Sequence, residues 1–319
     1  MQLHKEGIKK LLQEAFARRG QLGPVTNAMR LVNGPGDHLP GLLLDRYDRH
    51  FQAQVFDLSW LEHINVLTDV LQQKFKAQYF IIKDRTGSKE AKPDDIRIQV
   101  PIEKTASTAI VREYGLIWQV DLNDTLNTGL FLDMRANRNI VGRLAQGRRV
   151  LNCFAYTCSF GAHCRMHQSR EVTNVDISSK ALEAGRMNYA LNKIQPAQDE
   201  FVRAEAGWYL SRAIKKTNCF DAIILDPPSF SRHETKTFAV KRDLAGLITA
   251  SMHILSPDGV LFVSTNWSDL KHKDLITMIT QAAGKRKIKN IQQLGQDSDF
   301  PGSGSFKESH LSAVLARVA

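Results

Sequence analysis

The chain has 319 residues, of which 43% are hydrophobic, so it can bury a sizeable core and form one large and one small domain. No apolar run reaches the roughly 18 residues of a membrane-spanning helix and no signal-like amino terminus is present, so we expect a cytoplasmic protein that does not enter a membrane. Lysine and arginine number 43 against 33 aspartate and glutamate, a formal net charge of +10 that favours nucleic acid over a small acidic metabolite as partner.

The amino-terminal segment is predicted to form an amphipathic, basic helix. Most of its lysines and arginines lie away from the apolar side, and a packed helix with solvated charges explains this pattern more simply than a direct contact with RNA. The apolar residues at helical spacing are Ile8, Leu11, Leu12, Ala15 and Phe16.

A small sheet is predicted next, from strand-like segments at 29–32, 41–45 and 52–56 that are separated by turn residues and suggest antiparallel pairing. No catalytic constellation appears in this part. We therefore interpret residues 1–120 as a small α/β substrate-positioning domain and residues 121–319 as the catalytic domain. The other predicted elements are a helix over 60–75, a strand over 79–83, a loop over 89–95 and a hairpin over 109–120.

Residues 127–138, NTGLFLDMRANR, mark the passage into the second domain. The charged side chains Asp133, Arg135 and Arg138 either begin a capped helix and remain solvated, or close over a bound cofactor. Their spacing alone slightly favours the structural interpretation.

From Arg149 onward, strands and helices alternate regularly, which predicts a parallel sheet with helices on both faces. The last two strands are joined without a helix and suggest an antiparallel hairpin at the edge. Helices are expected after Phe160, over 179–192 with Ser178 or Ser179 as the cap, around 208–214, and over 240–255 and 270–283. The seven predicted strands are 150–154, 172–177, 201–204, 222–225, 260–264, 288–294 and 310–318.

Three of these strands end in residues suited to a cofactor. The first runs into the turn AYTCSFG at 155–161, the second into Asp176, and the third into Asp226-Pro227-Pro228. Because ligands of open parallel sheets bind at the carboxyl ends of the strands, the three ends should face one crevice. There Asp176 can accept hydrogen bonds from a ribose diol, and the two prolines stiffen the last strand end. These features suit an enzyme that uses S-adenosylmethionine (SAM), and they predict a methyltransferase.

A dinucleotide-dependent dehydrogenase is the main rival from these residues, because any doubly wound fold places an acidic residue after its second strand. Such an enzyme also needs a G-x-G-x-x-G turn so that the backbone can approach a pyrophosphate. The turn at 155–161 has one glycine, and Asp-Pro-Pro-Ser-Phe has no role in hydride transfer.

Five segments together resemble the bacterial 23S rRNA large-subunit methyltransferase family, over nearly the whole chain from about Met29. The resemblance implies a class I SAM-dependent methyltransferase fold, seven-stranded and Rossmann-like, behind a small α/β domain. The segments are LPGL at 39–42, TGLFLDMR at 128–135, LNCFAYTCSFG at 151–161, NVDIS at 174–178 and DPPSFSR at 226–232.

The same resemblance implies the residues that hold SAM, with those of the TGLFLDMR segment lying against the pocket of the others. Glu205 is expected beside the adenine. The implied cofactor contacts are Asn152, Phe154, Tyr156, Thr157, Ser159, Asp176, Ile177, Glu205, Ala206, Asp226, Phe131, Asp133 and Arg135.

The best-known members of the family are a cytosine-5 methyltransferase and the guanine-7 domain of a fused enzyme. Cytosine-5 members usually begin with a PUA RNA-binding domain, but only about 28 residues precede the matching region here. They also carry a cysteine nucleophile in the fifth strand, where this chain has Val263-Ser264-Thr265-Asn266. The residues that follow DPPSF look closer to the guanine-7 domain.

The four cysteines, at 153, 158, 164 and 219, do not have a zinc-binding spacing and are expected to be reduced and mostly buried. Cys153 should be a core residue. Cys158 occupies a turn position where relatives often have a small residue such as glycine, so it is either a neutral replacement or weakens SAM binding. Neither is expected to act as a nucleophile.

Methylation at nitrogen needs no such nucleophile. A cytosine ring carbon normally requires a thiolate to add first, whereas a ring nitrogen or amino group already offers electrons and needs mainly positioning. Asp226 and the carbonyl of Pro227 are expected to hold an amino group, while Phe230 either stacks on an extruded base or packs in the core.

We therefore predict a SAM-dependent RNA methyltransferase that modifies a base of 23S rRNA, or of a large-subunit precursor, at nitrogen, with guanine favoured. Cytosine-5 methylation by an unusual route and a catalytically inactive RNA-binding protein with this fold are the alternatives. The oligomeric state stays open, with a homodimer as one option.

Overall fold

The computed structural model describes residues 4–86, 97–100, 106–124, 127–233, 236–302 and 311–319, without the side chains of 97–100 and 230–238. The chain divides into two compact units: Met1–Arg135 with Asp297–Ser309, and Ala136–Gln296 with His310–Ala319. Residues 121–135 and 297–309 thus belong to the first unit, although the predicted boundary assigned them to the second domain. The predicted loop at 89–95 lies outside the described residues.

The first unit contains a mixed sheet in the order β1-β2-β3-β4-β5. Its first three strands are antiparallel, as predicted, but β3 and β4 are parallel because α2 crosses between them. The predicted hairpin is confirmed as β6 paired with β7. The elements are α1 (Lys5–Arg18), β1 (Ala28–Asn33), β2 (Leu42–Tyr47), β3 (His50–Val55), α2 (Ile64–Phe75), β4 (Tyr79–Asp84), β5 (Arg97–Val100), β6 (Thr108–Glu113) and β7 (Leu116–Asp121).

The amino-terminal helix α1 packs as predicted. Its apolar side, with Ile8, Leu12 and Phe16, is buried in the core of the first unit, where the Phe16 ring lies 5.3 Å from that of Phe75 on α2. Burial of each large apolar side chain contributes about 1.5–3 kcal/mol to folding, so this stripe is sufficient to hold the helix in place.

Two buried ion pairs fix the turn after β1 and the strand pairing of the first unit. The Arg19 guanidinium donates to both oxygens of Asp37, at 2.5 and 2.6 Å, and Arg30 donates to both oxygens of Asp45, at 2.7 and 3.1 Å. Burial acts to raise the pKa of Asp37, but the hydrogen bonds from Arg19 and Arg18 lower it overall. A buried carboxylate needs such partners, because an unpaired charge in the core is strongly destabilising.

The second unit contains the predicted seven-stranded sheet, in the order β10-β9-β8-β11-β14-β16-β15. The first five strands are parallel, and β16 runs antiparallel to both of its neighbours, which confirms the Rossmann-like α/β fold. The elements are α3 (Arg135–Leu144), β8 (Arg149–Cys153), α4 (Ser159–Met166), β9 (Glu171–Asp176), α5 (Ser179–Leu191), β10 (Phe201–Arg203), α6 (Ala206–Lys215), β11 (Phe220–Leu225), β12 (Phe230–His233), β13 (Lys236–Ala239), α7 (Val240–Ile254), β14 (Leu255–Thr265), α8 (His272–Ala283), β15 (Ile288–Leu294) and β16 (Ser312–Val318).

Burial explains the continuous apolar character of the central strands. Residues such as Leu151 on β8, Ile223 on β11 and Leu261 on β14 are fully buried, because helices cover a parallel sheet on both faces. The predicted cap of α5 is confirmed, since the Ser178 hydroxyl accepts a hydrogen bond from the Ala181 N–H at 3.1 Å. Among the helices of the described ranges, none combines the length and the apolar character that a membrane span requires.

Candidate active site

The turn after β8 has an unusual backbone. Phe154, Tyr156 and Cys158 have φ of 58°, 49° and 60°, a left-handed conformation that is uncommon for residues other than glycine. The turn is held by hydrogen bonds from Ala155 N to Val175 O at 3.0 Å and from Cys158 N to Ala155 O at 2.8 Å. Such backbone strain concentrates at functional sites, so this turn is a candidate ligand loop.

Asp176, at the end of β9, joins this turn to the start of α5. Its Oδ2 accepts the Tyr156 N–H and its Oδ1 accepts the Ser178 N–H, both at 2.8 Å. A carboxylate has about four acceptor positions, so capacity remains for a ribose diol. Burial raises the pKa of Asp176, against the lowering effect of the N–H groups of Ser178, Tyr156 and Ile177.

A buried amide network supports the strands beneath the turn. The Asn152 Nδ2 donates to Asn174 Oδ1 at 2.9 Å, and the Asn174 Nδ2 donates to the Tyr189 hydroxyl at 3.0 Å. A side chain at Gly161 would place its Cβ 2.2 Å from Asn174 Oδ1, so α4 can approach the network only with glycine there. The Asn152 side chain is thus engaged inside the fold, and its predicted SAM contact stays a prediction.

The thiols in this region are buried and protonated. Cys153 and Cys158 have pKa values raised by burial, and burial raises the pKa of Cys164 to about 12. A Cβ at Gly185 would lie 2.5 Å from the Cys158 sulfur, so this cysteine is closely packed against α5. Protonated, enclosed thiols are poor nucleophiles, as the sequence interpretation of Cys153 and Cys158 requires.

Asp226 follows β11 and is oriented by the neighbouring strand. The Ser264 hydroxyl of β14, which is fully buried, donates to Asp226 Oδ1 at 2.6 Å. Pro227 is buried, and further along the loop Ser229 is hydrogen bonded to the side chain of Asn266. Phe230 begins β12, and its side chain lies outside the described ones.

The remaining predicted contacts of the second unit lie at strand and helix ends. The Glu205 carboxylate caps α6 by accepting the N–H groups of Gly207 and Trp208, both at 2.9 Å, and Ala206 is the buried first residue of that helix. Ile177 is half-buried beside Asp176. The predicted place of Glu205 near the adenine stays a prediction.

Two other predicted contacts lie at the turn after β8. Thr157 is buried, and its carbonyl accepts a hydrogen bond from the Asn188 side chain at 3.3 Å. Ser159 begins α4 and is half-buried. The second unit thus brings together the strand-end residues of β8 and β9.

Phe131, Asp133 and Arg135 lie in the first unit. Phe131 is 41% exposed, and the charge of Asp133 contributes to raising the pKa of Arg30. Arg135 is fully buried, and its guanidinium donates to Asp299 at 2.5 Å.

Three further hydrogen bonds of that guanidinium also lie within the first unit. They join it to Asp297 at 3.1 and 3.2 Å and to the Ala28 carbonyl at 3.2 Å. These bonds indicate a structural role for Arg135 in the first unit, and its predicted SAM contact stays a prediction.

Sequence reasoning missed Asn174, Tyr189, Gly161 and the role of Ser264. One signal was present, because Asn174 interrupts the apolar run Val172–Val175, and a polar side chain in a buried strand needs a hydrogen-bond partner. In the sequence, Ser264 is distinguished only by its place in the segment where cytosine-5 members of the family are expected to carry a cysteine. Its bond to Asp226 depends on strand pairing, in which Leu225 lies opposite Val263.

The strand order, with the antiparallel β16 between β14 and β15, defines a Rossmann-like α/β domain. Residues 77–316 match the family described as S-adenosylmethionine-dependent methyltransferase, and the chain belongs to this family. SAM is thus its cofactor and methyl transfer its reaction.

Curated relatives confirm the predicted large-subunit methyltransferase family. Ribosomal RNA large subunit methyltransferase I of Tolumonas auensis is 30% identical and aligns with 99% of this chain and 82% of its own length. Ribosomal RNA large subunit methyltransferase K/L of Shewanella sp. strain MR-4 is 38% identical over 60% of this chain and 27% of its own length. A crystal structure of SMU.776 complexed with SAH, the demethylated product of SAM, superimposes with a TM-score of 0.87 at 25% identity, covering 100% of this chain and 83% of that one.

Proposed function

We propose that this enzyme methylates a base of 23S rRNA, or of a large-subunit precursor, at nitrogen, with guanine as the base. The observation that supports nitrogen is the Ser264–Asp226 hydrogen bond of 2.6 Å, in the segment 263–266 where the family resemblance implies a nucleophilic cysteine for cytosine-5 members. The names of the relatives and the net charge of +10 support RNA as the acceptor. A cytoplasmic location follows from this substrate.

The residues of the chain have separate tasks in this scheme. Bound SAM supplies an electrophilic methyl group on its sulfonium. The Asp226 carboxylate and the Pro227 carbonyl accept hydrogen bonds from the amino group of the base, which aligns the attacking nitrogen with that methyl. The hydrogen bond from Ser264 holds the Asp226 carboxylate in one orientation.

The base and atom can be tested directly. Unmodified 23S rRNA, transcribed in vitro, is incubated with the enzyme and SAM, digested to nucleosides and analysed by mass spectrometry. A methylated guanosine with the methyl on nitrogen is expected. Five-methylcytidine as the product would contradict the proposal.

Replacing Ser264 with alanine is expected to slow methyl transfer roughly tenfold. A hydrogen bond to a charged group contributes about 1.5–3 kcal/mol, and a released carboxylate loses its fixed orientation. Single-turnover rates with saturating SAM and 23S rRNA measure the effect.

Ser251→Ala provides the matched control, because the Ser251 hydroxyl is also fully buried but has no hydrogen-bond partner in the described part of the chain. Its loss should leave the rate unchanged. Equal rates for Ser264→Ala and the parent enzyme would argue against a positioning role for Ser264.

No covalent enzyme–RNA adduct is expected to form with RNA that contains 5-fluorocytosine. Cytosine-5 enzymes are trapped by this base because the final elimination is blocked, whereas nitrogen methylation has no covalent intermediate. The buried, protonated thiols of Cys153, Cys158 and Cys164 agree with this expectation. Denaturing gel electrophoresis of enzyme, SAM and labelled RNA provides the measurement.

Single Cys→Ser variants complete this test. Each variant should retain some methylation, and a SAM titration separates chemical loss from weakened cofactor binding at Cys153 and Cys158. A denaturant-resistant adduct that disappears in one variant which still binds SAM would restore the cytosine-5 alternative.

A further inference from the structure

Two groups of arginines in the first unit differ in their hydrogen-bond partners. Arg19 and Arg30 donate to the carboxylates of Asp37 and Asp45 and are neutralised by them. In the second group, Arg46, Arg49 and Arg112 donate instead to backbone carbonyls, which carry no formal charge. The second group therefore retains its positive charge at the surface.

Each member of this second group is held by a single guanidinium nitrogen. Arg46 Nε donates to Asp48 O at 2.8 Å, Arg49 Nε to Lys76 O at 2.7 Å, and Arg112 Nη2 to Gly23 O at 3.4 Å. Within the described residues no carboxylate forms an ion pair with any of the three. Other guanidinium nitrogens of all three, including both terminal nitrogens of Arg46 and Arg49, are thus left for another acceptor.

Arg46 and Arg49 lie at the turn between β2 and β3, and the charge of Arg112 is close enough to affect Arg46. The Arg46 Cζ lies 4.5 Å from the centre of the Phe75 ring, next to Lys76, whose carbonyl holds Arg49. Burial lowers the pKa of Arg46, and the positive charge of nearby Arg112 lowers it further, against the opposite effect of Asp48. Like charges held this close favour an anion between or beside them.

Asn27 connects Arg112 to the same turn. Its side chain accepts the Arg112 backbone N–H at 2.7 Å and donates to Asp48 Oδ1 at 3.1 Å, while its carbonyl accepts the Asp48 N–H at 2.9 Å. Asp48 is thus partly occupied by an amide and is one negative charge among three arginines. The local excess of positive charge persists after this pairing.

We propose that Arg46, Arg49, Lys76 and Arg112, here called the basic cluster, bind backbone phosphates of the RNA substrate. This inference rests on the proposed function and adds an RNA-binding surface within the first unit. Guanidinium groups match phosphate geometry with two parallel hydrogen bonds, and stacking on Phe75 together with the carbonyl contacts fixes two of them in advance. Fixed side chains lose little conformational entropy on binding, which increases affinity.

The geometry favours RNA over an anionic membrane surface. Peripheral membrane binding commonly uses an amphipathic helix with flexible lysines around an apolar face, whereas here guanidinium groups are held at defined points on strands and turns. Guanidinium groups at fixed positions can match the fixed positions of the phosphates in a folded RNA.

Arg49→Gln/Arg112→Gln is expected to weaken binding to unmodified 23S rRNA about tenfold or more at moderate salt. Loss of two phosphate contacts should also reduce the slope of log K against log salt concentration by roughly 1.4–1.8, since each contact contributes about 0.7–0.9. Filter binding over a series of salt concentrations measures both quantities. SAM affinity, measured by calorimetry, should be unchanged.

Lys5→Gln/Lys10→Gln is the matched control, because it removes two exposed positive charges from the same unit. This variant should retain the parent slope to within about 0.3, well below the contribution of one phosphate contact. Equal losses in both double variants would indicate a diffuse electrostatic field and overturn the basic cluster. Parent-like RNA binding in Arg49→Gln/Arg112→Gln, with binding to phosphatidylserine vesicles lost, would assign the surface to a membrane instead.

Arg49→Lys/Arg112→Lys protects the test against misfolding, because it keeps both charges. This variant should retain the salt slope while its affinity falls severalfold, since lysine lacks the guanidinium fork. A slope that falls with the charges still present would contradict phosphate binding at these positions. Failure of the parent enzyme to methylate 23S rRNA would instead refute the proposed function, independently of these variants.

Discussion

Asp176→Ala is expected to weaken SAM binding from tenfold to more than a hundredfold. A charge-assisted hydrogen bond to a ribose hydroxyl contributes about 1.5–3 kcal/mol, and each 1.4 kcal/mol corresponds to a factor of ten. Asp176 also accepts the backbone N–H groups of Tyr156 and Ser178 at 2.8 Å, so its loss releases the strained turn that supports the cofactor. Isothermal titration calorimetry with SAM measures the change.

Two further measurements separate the roles of this carboxylate. Asp176→Asn keeps the size and one acceptor oxygen and should lose less affinity than the alanine variant. Because burial raises the pKa of Asp176, the parent enzyme should lose affinity for SAM as the pH falls through a value above that of an ordinary aspartate. Asp176→Ala should not show this loss of SAM affinity at low pH. Unchanged SAM affinity in that variant would contradict a role of Asp176 in binding SAM.

Arg135→Ala is expected to lower the free energy of unfolding by about 3–5 kcal/mol without changing SAM affinity. The substitution leaves the carboxylate of Asp299, which is fully buried, without its cationic partner, and a broken buried ion pair has this cost. It also removes the bonds to Asp297 and to the Ala28 carbonyl. Urea unfolding, followed by circular dichroism, measures the change.

Arg135→Met/Asp299→Asn should recover part of that stability, because it removes both charges and keeps much of the volume. Burial raises the pKa of Asp299 in the parent protein, although Arg135 acts to lower it, so the aspartate is costly to keep charged once the arginine is gone. Full stability in Arg135→Ala combined with weaker SAM binding would contradict the structural role and support the predicted SAM contact of Arg135.

Much of the second unit can be predicted because its signals are local. Short apolar runs such as Ala222–Leu225 indicate buried strands, the serine at 178 indicates a helix cap, and Asp176 follows its strand directly. The carboxyl ends of parallel strands meet at one edge of a sheet, so the sequence predicts that the turn after β8 lies close to Asp176. The resemblance of the TGLFLDMR segment to its relatives could not show that the guanidinium of Arg135 bonds to Asp297 and Asp299.

The sequence by itself determined the alternation of strands and helices, the cofactor turn and the absence of a fifth-strand cysteine. Only the tertiary structure decided that β16 lies between β14 and β15, and that Asp299, which follows β15, pairs with Arg135. The Ser264–Asp226 bond and the basic cluster also join positions far apart in the chain. The physical reason is that residue patterns specify which side of an element is apolar, whereas the partner of a buried charge or strand depends on which distant segments pack against it.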